Sequence, residues 1–329
     1  MRKSFFDKAM CLRIAIISLA LVFLIVAGLL ILREWEKNRG QFPEHEVMDQ
    51  TLVHDGVEYV LKKNLETFLV IGLDKFDGDT VSDSYNNDEQ ADFLMLFVFD
   101  NDARECTAIQ INRDTMAEIS VLGVAGDKID TVTKQIALSH TYGNKDVSCR
   151  NTADSVSSVL LGTRVNHYIS LTMDAVAIVN DLVGGVEVEV LDDFDGIDPT
   201  LIKGETVLLT GKQALTYVQS RYGLEDSTNS NRMKRQQQYV GALYDKFEES
   251  VEADDELIVD ITLAIADYMV SDRSVTQLQT LAEKFNDYEF LGIQTIEGES
   301  VRGDQYMEFY PDETAVKELV IHTFYSPKK

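Results

Sequence analysis

Three short apolar runs decide the fold of this chain: "TFLVIG" (Thr67 to Gly72), "FLMLFVF" (Phe93 to Phe99) and "CTAIQIN" (Cys106 to Asn112). Their lengths and their continuous or alternating apolar patterns are typical of β-strands. A segment rich in aspartate, asparagine, serine and glycine, "DKFDGDTVSDSYNNDEQ", separates the first two runs and is typical of a solvated loop. We therefore expect the three runs to be strands of a central sheet.

Further along the chain, helix patterns alternate with strand patterns. "TADSVSSVLLG" and "MDAVAIVNDLVGG" are typical of helices that end at glycine, and "HYISL" and "VEVEV" are typical of strands. "GKQALTYVQSR" and "NRMKRQQQYVGALYDKF" predict two more helices, and strand and helix patterns continue to the C-terminus. This alternation predicts one α/β domain over residues 64–329, with a central sheet covered by helices.

The amino terminus carries a basic flank followed by an uncharged apolar segment. Residues 1–13 contain four basic residues and one acidic residue, and the 19 residues of segment 14–32 carry no charge. Such a segment can span a bilayer, and its basic flank is expected to stay in the cytoplasm. A cleavable signal peptide is the alternative, but no small-residue cleavage site follows the segment. We predict a cytoplasmic tail (1–13), a single transmembrane anchor (14–32), a linker (33–63) with one short strand at "VEYVL", and an extracellular domain (64–329).

The charge of the chain argues against nucleic acid as a partner. The formal net charge is −26, with 56 acidic residues against 30 basic ones. Binding to DNA or RNA needs lysine and arginine clustered over a broad face. An extracellular location would also separate the domain from nucleic acid.

Two cysteines, Cys106 and Cys149, lie in the predicted extracellular part. Thiols outside the cell can pair into a disulfide. Because the sequence does not determine the distance between their Cα atoms, a disulfide and two free thiols both remain open.

Arginines at the ends of predicted elements indicate an anionic ligand. The five histidines lack metal-ligand spacing, and the chain has neither a GxSxG elbow nor a GxxxxGK[ST] phosphate loop. "INRDT" instead delivers Arg113 at the end of a strand, where α/β sheets place ligand contacts. Arg221 ends one predicted helix and Arg232 begins the next. A guanidinium can hold phosphate oxygens with two hydrogen bonds, so this set suits a phosphate-bearing ligand.

In the helix predicted from "NRMKRQQQY" onwards, the polar residues point in different directions around the helix axis. Met233, Val240, Tyr244 and Phe247 share one apolar face. Arg232 and Gln236, four residues apart, lie together along one border of that face, while Lys234 and Arg235 point elsewhere. Polar side chains at such a border can form the wall of an anion pocket. The alternative is that they only extend past the apolar face to reach solvent.

The ordered set of motifs resembles the LytR-CpsA-Psr family of cell-wall glycopolymer ligases. The matching pieces, in order, are the anchor, "IGLDK", "ADFLML", "INRDT", "KID", "NHYISLTMDAVAIVNDLVGGVEVEV", "LIKGETVLLTGKQALTYVQSR" and "NRMKRQQQ". The resemblance implies a central mixed β-sheet flanked by helices in an α/β/α sandwich. It also implies transfer of a glycopolymer from a polyprenyl pyrophosphate carrier to peptidoglycan at the outer face of the membrane.

The resemblance assigns roles to particular residues. Arg113, Arg221, Arg232 and Gln236 would hold the pyrophosphate, and Asp74 and Asp92 would bind Mg²⁺. Asp92 and Arg113 would take part in catalysis, with Asp92 as an alternative base for the acceptor hydroxyl. Taken alone, each aspartate is more typical of a strand-end or turn cap, and the ordered set of motifs favours the metal-binding role. A polyprenyl lipid also requires an apolar cavity, which we expect to open near Arg113, with walls between residues 93 and 182.

Three positions depart from the pattern of the resembled family. Asn112 stands where proline is usual, Gln219 where arginine is usual and Asn229 where aspartate is usual. Loss of one guanidinium weakens phosphate binding by about 1.5 to 3 kcal/mol if nothing compensates. Two functions therefore remain open: a divergent ligase, or a scaffold that binds polyprenyl-linked glycan or wall polymer without catalysis. Chains of this kind have also been labelled transcriptional regulators, which the acidity and the predicted topology contradict.

Overall fold

The three apolar runs form the centre of one mixed sheet. This computed structural model describes residues 50–73 and 89–328. The strands are β1 (Thr51–His54), β2 (Val57–Leu61), β3 (Leu65–Leu73), β4 (Ala91–Asp100), β5 (Glu105–Ile111), β6 (Met116–Leu122), β7 (Lys128–Gln135), β8 (His167–Thr172), β9 (Val186–Glu189), β10 (Thr206–Leu209), β11 (Met269–Ser271), β12 (Glu289–Thr295), β13 (Gly298–Arg302), β14 (Met307–Pro311) and β15 (Tyr325–Pro327). The central sheet has the order β11-β8-β3-β4-β5-β12. β3, β4 and β5 are antiparallel neighbours, whereas β8 lies parallel to β3 and β12 lies parallel to β5.

Helices cover both faces of this sheet. They are α1 (Lys145–Val159), α2 (Asp174–Leu182), α3 (Gly211–Gln219), α4 (Asn229–Ala253), α5 (Leu257–Ala264), α6 (Val275–Phe285) and α7 (Glu313–Phe324), with 3₁₀ turns at Ile136–Thr141 and Ala266–Tyr268. The predicted fold, a mixed sheet flanked by helices, is therefore confirmed for the described residues.

One face of the sheet is closely packed. Successive side chains of a strand point to opposite faces, so alternate residues of β3 and β4 share a side. On this side Leu69, Ile71, Leu94 and Leu96 are fully buried in one cluster with residues of α1 and α7, among them Val156 and Val320. We call this the packed face. The other side meets α2, α4, α5 and α6 around two cavities, and we call it the cavity face.

The segment just before the sheet belongs to the folded domain. β1 and β2 form an antiparallel hairpin, and β15 at the C-terminus pairs with β2. Leu52, Tyr59 and Leu61 pack against the cluster of the packed face. Residues 51–61, which the sequence assigned to the linker 33–63, thus form strands. A local signal for the β1–β2 hairpin is its two-residue turn Asp55-Gly56, in which both residues have positive φ. The pairing of β2 with β15 joins segments about 270 residues apart, which local patterns do not predict.

Most predicted elements have the expected type, and one hairpin was not predicted. Among the described residues, the quoted runs form β2, β3, β4, β5, β8 and β9 and helices α1 to α4. β6 and β7 form an antiparallel hairpin after "INRDT" that the sequence analysis missed. β7 reads "KIDTVTKQ" and is almost wholly exposed, so it lacks the apolar alternation by which a half-buried strand is recognised.

The two cysteines of the domain are free and buried. Cys106 lies in β5 and Cys149 in α1. Burial raises the pKa of each thiol to about 12, so both are protonated and unreactive at neutral pH.

Candidate functional site

Asp92 lies where the pairing of β3 and β4 is irregular. Gly72 pairs with Phe93, but the next residue, Leu73, pairs with Ala91, so Asp92 has no partner of its own across this strand pair. Bulges of this kind redirect a side chain and are frequent next to active sites. The Asp92 side chain is buried, and each of its two carboxylate oxygens accepts a hydrogen bond from a different arginine.

Arg113 follows the end of β5 by two residues, as the sequence predicted. Its Nη1 donates to Asp92 and its Nη2 to the side-chain oxygen of Gln90. Its Nε lies 3.7 Å from a carboxylate oxygen of Asp114, too far for a hydrogen bond. Within residues 50–73 and 89–328, this Nε is a buried donor with no hydrogen-bond partner. A buried donor of this kind is available to a ligand atom.

Arg232 reaches Asp92 from the first turn of α4. The helix starts after Thr228, whose hydroxyl accepts the backbone N–H of Asn231 at 3.2 Å and caps the helix. Nη1 of Arg232 donates to Asp92 at 3.0 Å. The fold therefore places the predicted residues Asp92, Arg113 and Arg232 in direct contact, with the carboxylate between the two guanidiniums.

Arg221 contributes charge to the same site from the end of α3. Its guanidinium contacts the ring of Tyr222, with a distance of 4.7 Å from Cζ to the ring centroid, and donates to the Tyr222 hydroxyl at 2.7 Å. Burial raises the pKa of Asp114, and the positive charges of Arg113, Arg221 and Arg232 oppose that rise. Burial likewise lowers the pKa of Arg232 against the opposing effect of Asp92. Three guanidiniums thus share one electrostatic environment.

Gln236 lies one helical turn after Arg232 and belongs to a buried set of amides. It accepts a hydrogen bond from Gln110 at 3.0 Å and donates to the backbone carbonyl of Val218 at 3.2 Å. Gln237 in turn donates to Gln110 at 2.7 Å. These contacts orient the Gln236 side chain at the boundary between the arginines and the apolar interior.

Two of the three departures from the family pattern contact each other. Nδ2 of Asn229 donates to Oδ1 of Asn112 at 2.8 Å, although the residues are 117 positions apart. Oδ1 of Asn229 accepts from Nε and Nη2 of Arg232, at 3.1 and 2.7 Å. The third departure, Gln219, ends α3 two residues before Arg221.

Two apolar cavities on the cavity face adjoin each other, and the first of them is lined by Gln236. The near cavity, of about 250 Å³, lies against β3, β4, α2 and α4 and includes Gln236, Tyr239 and Leu243. The far cavity, of about 380 Å³, lies further along α4, against Tyr244 and Phe247, and against α5 and α6. Val70 lines both. The structure therefore shows two apolar cavities in place of the single elongated one expected. Gln236 rather than Arg113 is among their lining residues, and helices beyond residue 182 form much of their walls.

Arg235 has the contacts of a structural residue. It is 1% exposed, forms an ion pair with Asp192 and donates from Nε to the carbonyl of Tyr217 and from Nη2 to the carbonyl of Ser220. It ties α4 to the end of α3. This agrees with the helical direction deduced for Arg235 from the sequence.

The described residues do not by themselves form a metal site. Asp74, one of the two predicted ligands, lies outside the described residues. No group of three histidine, cysteine, aspartate or glutamate residues suited to a metal occurs within 50–73 and 89–328. Asp92 offers oxygen donors of the kind Mg²⁺ prefers, but both oxygens already accept hydrogen bonds from arginines.

Four contributors to the site were not named in the sequence analysis: Gln90, Gln110, Asp114 and Asn229 as a partner of Arg232. Gln110 is the one with a local signal, since it is a polar residue inside a strand whose other residues near that end are apolar. The roles of the others depend on contacts between distant segments.

Comparison with known proteins assigns the chain to a family. Residues 36–323 match the LytR_cpsA_psr family, and the chain belongs to it. It is 27% identical over 238 residues to the polyisoprenyl-teichoic acid–peptidoglycan teichoic acid transferase TagU of Bacillus subtilis, covering 70% of each chain. It is 26% identical over 268 residues to the TagU of Enterococcus faecalis, covering 79% of this chain and 78% of that one. The crystal structure of Bacillus subtilis TagV has the same fold, with a TM-score of 0.60, 20% identity and coverage of 80% of this chain and 97% of that one.

Proposed function

We propose that this chain transfers a glycopolymer from a polyprenyl pyrophosphate carrier, such as undecaprenyl pyrophosphate, to peptidoglycan. The observation that carries the proposal is the junction on α4, where Arg232 holds Asp92 and Gln236, one turn later, lines an apolar cavity. A ligand that fits both parts has an anionic head and a long apolar tail, as a polyprenyl pyrophosphate has. The names of the related TagU transferases support the same donor and acceptor classes.

The arginines would bind the pyrophosphate of the carrier. Arg113 has a buried Nε without a hydrogen-bond partner in the described part of the chain, and Arg221 is half-buried at the rim. Arg113, Arg221 and Arg232 would neutralise the phosphate oxygens, and Gln236 would contact the head group where the tail begins. The tail would extend along α4, through the near cavity and into the far one, over about 16 Å between Gln236 and Phe247.

The proposed reaction replaces a phosphoanhydride bond of the carrier with a phosphodiester bond to the acceptor. The oxygen of the acceptor hydroxyl would bond to the glycan-bearing phosphorus, the bond from that phosphorus to the bridging oxygen would break, and polyprenyl phosphate would leave. Since this leaving group is already good, the site has mainly to neutralise charge and to orient the hydroxyl. Asp92 would accept the hydroxyl proton, because its carboxylate keeps lone pairs that the two arginines do not occupy.

Mg²⁺ remains part of the proposal as a bound cofactor. Asp92 and Asp74 would hold it, with phosphate oxygens of the substrate completing its shell, as is usual for this ion. Bound there, it would supply positive charge to the phosphate oxygens. Arg113 and Arg232 hold Asp92 without the ion, so the roles given above to the arginines and to Asp92 do not require it.

We further propose that the domain lies outside the cell, anchored by residues 14–32, which are outside the described residues. None of the helices in the described part of the chain is long and apolar enough to cross a membrane. The basic flank and the uncharged segment support the orientation. Protease added to intact, wall-stripped cells should digest the domain. Protection until the membrane is opened would contradict this topology.

A binding scaffold without catalysis is the second candidate. Gln219 in place of a guanidinium is the observation that favours it, because one charge-assisted contact is missing. The two functions differ in one measurable respect: both require carrier binding, and only the ligase transfers the glycan.

The test measures transfer and binding together on the full-length protein in detergent. The substrates are a labelled glycan on polyprenyl pyrophosphate and peptidoglycan fragments, assayed with and without Mg²⁺. We expect Arg113→Ala to weaken carrier binding about tenfold or more, because it removes charge-assisted contacts. Asp92→Asn should lower the transfer rate about a hundredfold or more with a smaller effect on binding, since it removes the proton acceptor.

Lys234→Ala is the matched control. It removes one positive charge from the first turns of α4 at an exposed position, and both measurements should stay close to wild type. Carrier binding that Arg113→Ala abolishes, together with no transfer by wild type under any condition, would support the scaffold and reject the ligase. Failure of wild type to bind the carrier would reject both.

A further inference from the structure

Two buried asparagines link the end of β5 to Arg232 by hydrogen bonds. Oδ1 of Asn112 accepts the backbone N–H of Asp114 at 2.9 Å and Nδ2 of Asn229 at 2.8 Å. Oδ1 of Asn229 then accepts Nε and Nη2 of Arg232. Asn112, Asn229 and Arg232 are all more than nine-tenths buried. We call Asn112 and Asn229 the asparagine relay.

The backbone determines the direction of every amide in the relay. The Asp114 N–H can only donate, so the Asn112 atom that faces it must be the oxygen. That oxygen requires a donor from Asn229, which turns the Asn229 oxygen towards Arg232. An aspartate at position 229 would still accept from Arg232, but it would bring a carboxylate oxygen against the Asn112 oxygen. An amide at 229 satisfies both neighbours.

The relay is also electrically neutral, which matters for the charge of the site. Among the described residues, the site contains three guanidiniums and two carboxyl groups: Arg113, Arg221, Arg232, Asp92 and Asp114. A carboxylate at position 229 would lower the net charge of this set by one unit. With an amide there, Arg232 is held in place by hydrogen bonds, and its charge is opposed by Asp92 alone among its direct contacts in the described residues.

We propose that Asn112 and Asn229 are positioning residues that hold the Arg232 guanidinium towards a phosphate-bearing ligand while keeping the site positively charged. The inference rests on the proposed function, because the ligand is the anionic head of that carrier.

The test compares two ligands that differ only in the pyrophosphate: geranylgeranyl pyrophosphate and geranylgeraniol. Asn229→Asp in the full-length protein should weaken binding of the first about tenfold or more, because a unit charge a few ångströms from an anion in a partly buried site has at least that effect. Binding of geranylgeraniol should stay within about twofold of wild type. A purely structural defect would affect both ligands.

Ser230→Asp is the matched control, since it adds the same charge one residue later at an exposed position of the same helical turn. It should change neither affinity by more than about twofold. Equal affinities of Asn229→Asp and Ser230→Asp for geranylgeranyl pyrophosphate would overturn the inference and leave the proposed function intact. Wild type that binds geranylgeraniol and not the pyrophosphate would overturn both.

A double-mutant cycle covers the case in which Asn229→Asp fails to fold. Asn112→Ala and Asn229→Ala should each weaken pyrophosphate binding several-fold, and the double variant should be no weaker than the more affected single variant, because both act through Arg232. Additive losses in the double variant would show independent effects and would overturn the relay.

Discussion

The two faces of the central sheet differ in packing although the same strands build them. On the packed face, Leu94 and Leu96 of β4 are fully buried against α1 and α7. On the cavity face, their neighbours Phe93 and Phe97 are only partly buried and line cavities. Both sets are apolar, so hydrophobicity does not distinguish them. The difference lies in how closely the helices cover each face, and it separates a side that stabilises the fold from a side that can accept a ligand.

The polar site lies at one end of the cavity face. Gln236 is both a lining residue of the near cavity and a neighbour, along α4, of Arg232. A ligand on this face can therefore place an apolar part between sheet and helix and an anionic part among the arginines. The packed face has a cavity of about 230 Å³ at its edge, but polar and charged residues such as Lys62, Asp100 and Glu105 line much of it.

The largest expected effect is a difference in the free energy of unfolding between two truncations at adjacent residues of β4, one on each face. Leu96→Ala should lower the free energy of unfolding by about 3 to 5 kcal/mol, because it leaves a new cavity in a filled cluster. Phe97→Ala should cost about 1 to 2 kcal/mol, since much of that ring already faces empty space. Urea unfolding of the two variants measures the difference. Equal losses would mean that the faces are packed alike.

A second prediction concerns the pH dependence of the packed side. Burial lowers the pKa of His140 to about 4, against 6.5 for the ordinary side chain. The unfolded chain therefore binds a proton at a higher pH than the folded chain does. The contribution of neutral His140 to the free energy of unfolding is complete above about pH 6.5. It is lost as the pH falls towards 4, by about 3 kcal/mol in total.

The measurement is the difference in free energy of unfolding between wild type and His140→Gln as a function of pH. Subtraction removes the titration of carboxylates that both proteins share. The variant should lack the loss between pH 6.5 and 4. Parallel curves over this range would show that His140 does not titrate as its burial requires.

The smallest expected effect comes from enlarging two adjacent residues of β3, one on each face. Ile71→Phe adds volume to the packed face and should lower the free energy of unfolding by about 1 to 3 kcal/mol. Val70→Phe should change stability by less than about 1 kcal/mol, because Val70 borders both cavities and the ring has room. The same variant should weaken binding of geranylgeraniol. Unchanged binding in Val70→Phe would show that the apolar ligand occupies another place.

The sequence predicted the central elements well because each has a strong local pattern. β4 is a continuous apolar run, and α3 begins at Thr210 with a reciprocal side-chain cap from Gln213. Arg113 at a strand end and Arg232 with Gln236 on one border of a helix also followed from local position. Where the local pattern was weak, as in the exposed strand β7, the prediction failed, and the hairpin at residues 51–61 was assigned to a linker despite its Asp55-Gly56 turn.

The sequence by itself therefore determined most of the strands and helices, their order and the residue types available for an anion site. Only the tertiary structure decided that a bulge places Asp92 between Arg113 and Arg232, 140 positions further along the chain, and that Asn112 contacts Asn229. It alone decided which face of the sheet is open. Local patterns arise from the period of the backbone, whereas a bulge, a contact between distant segments and a cavity depend on how whole elements fit together.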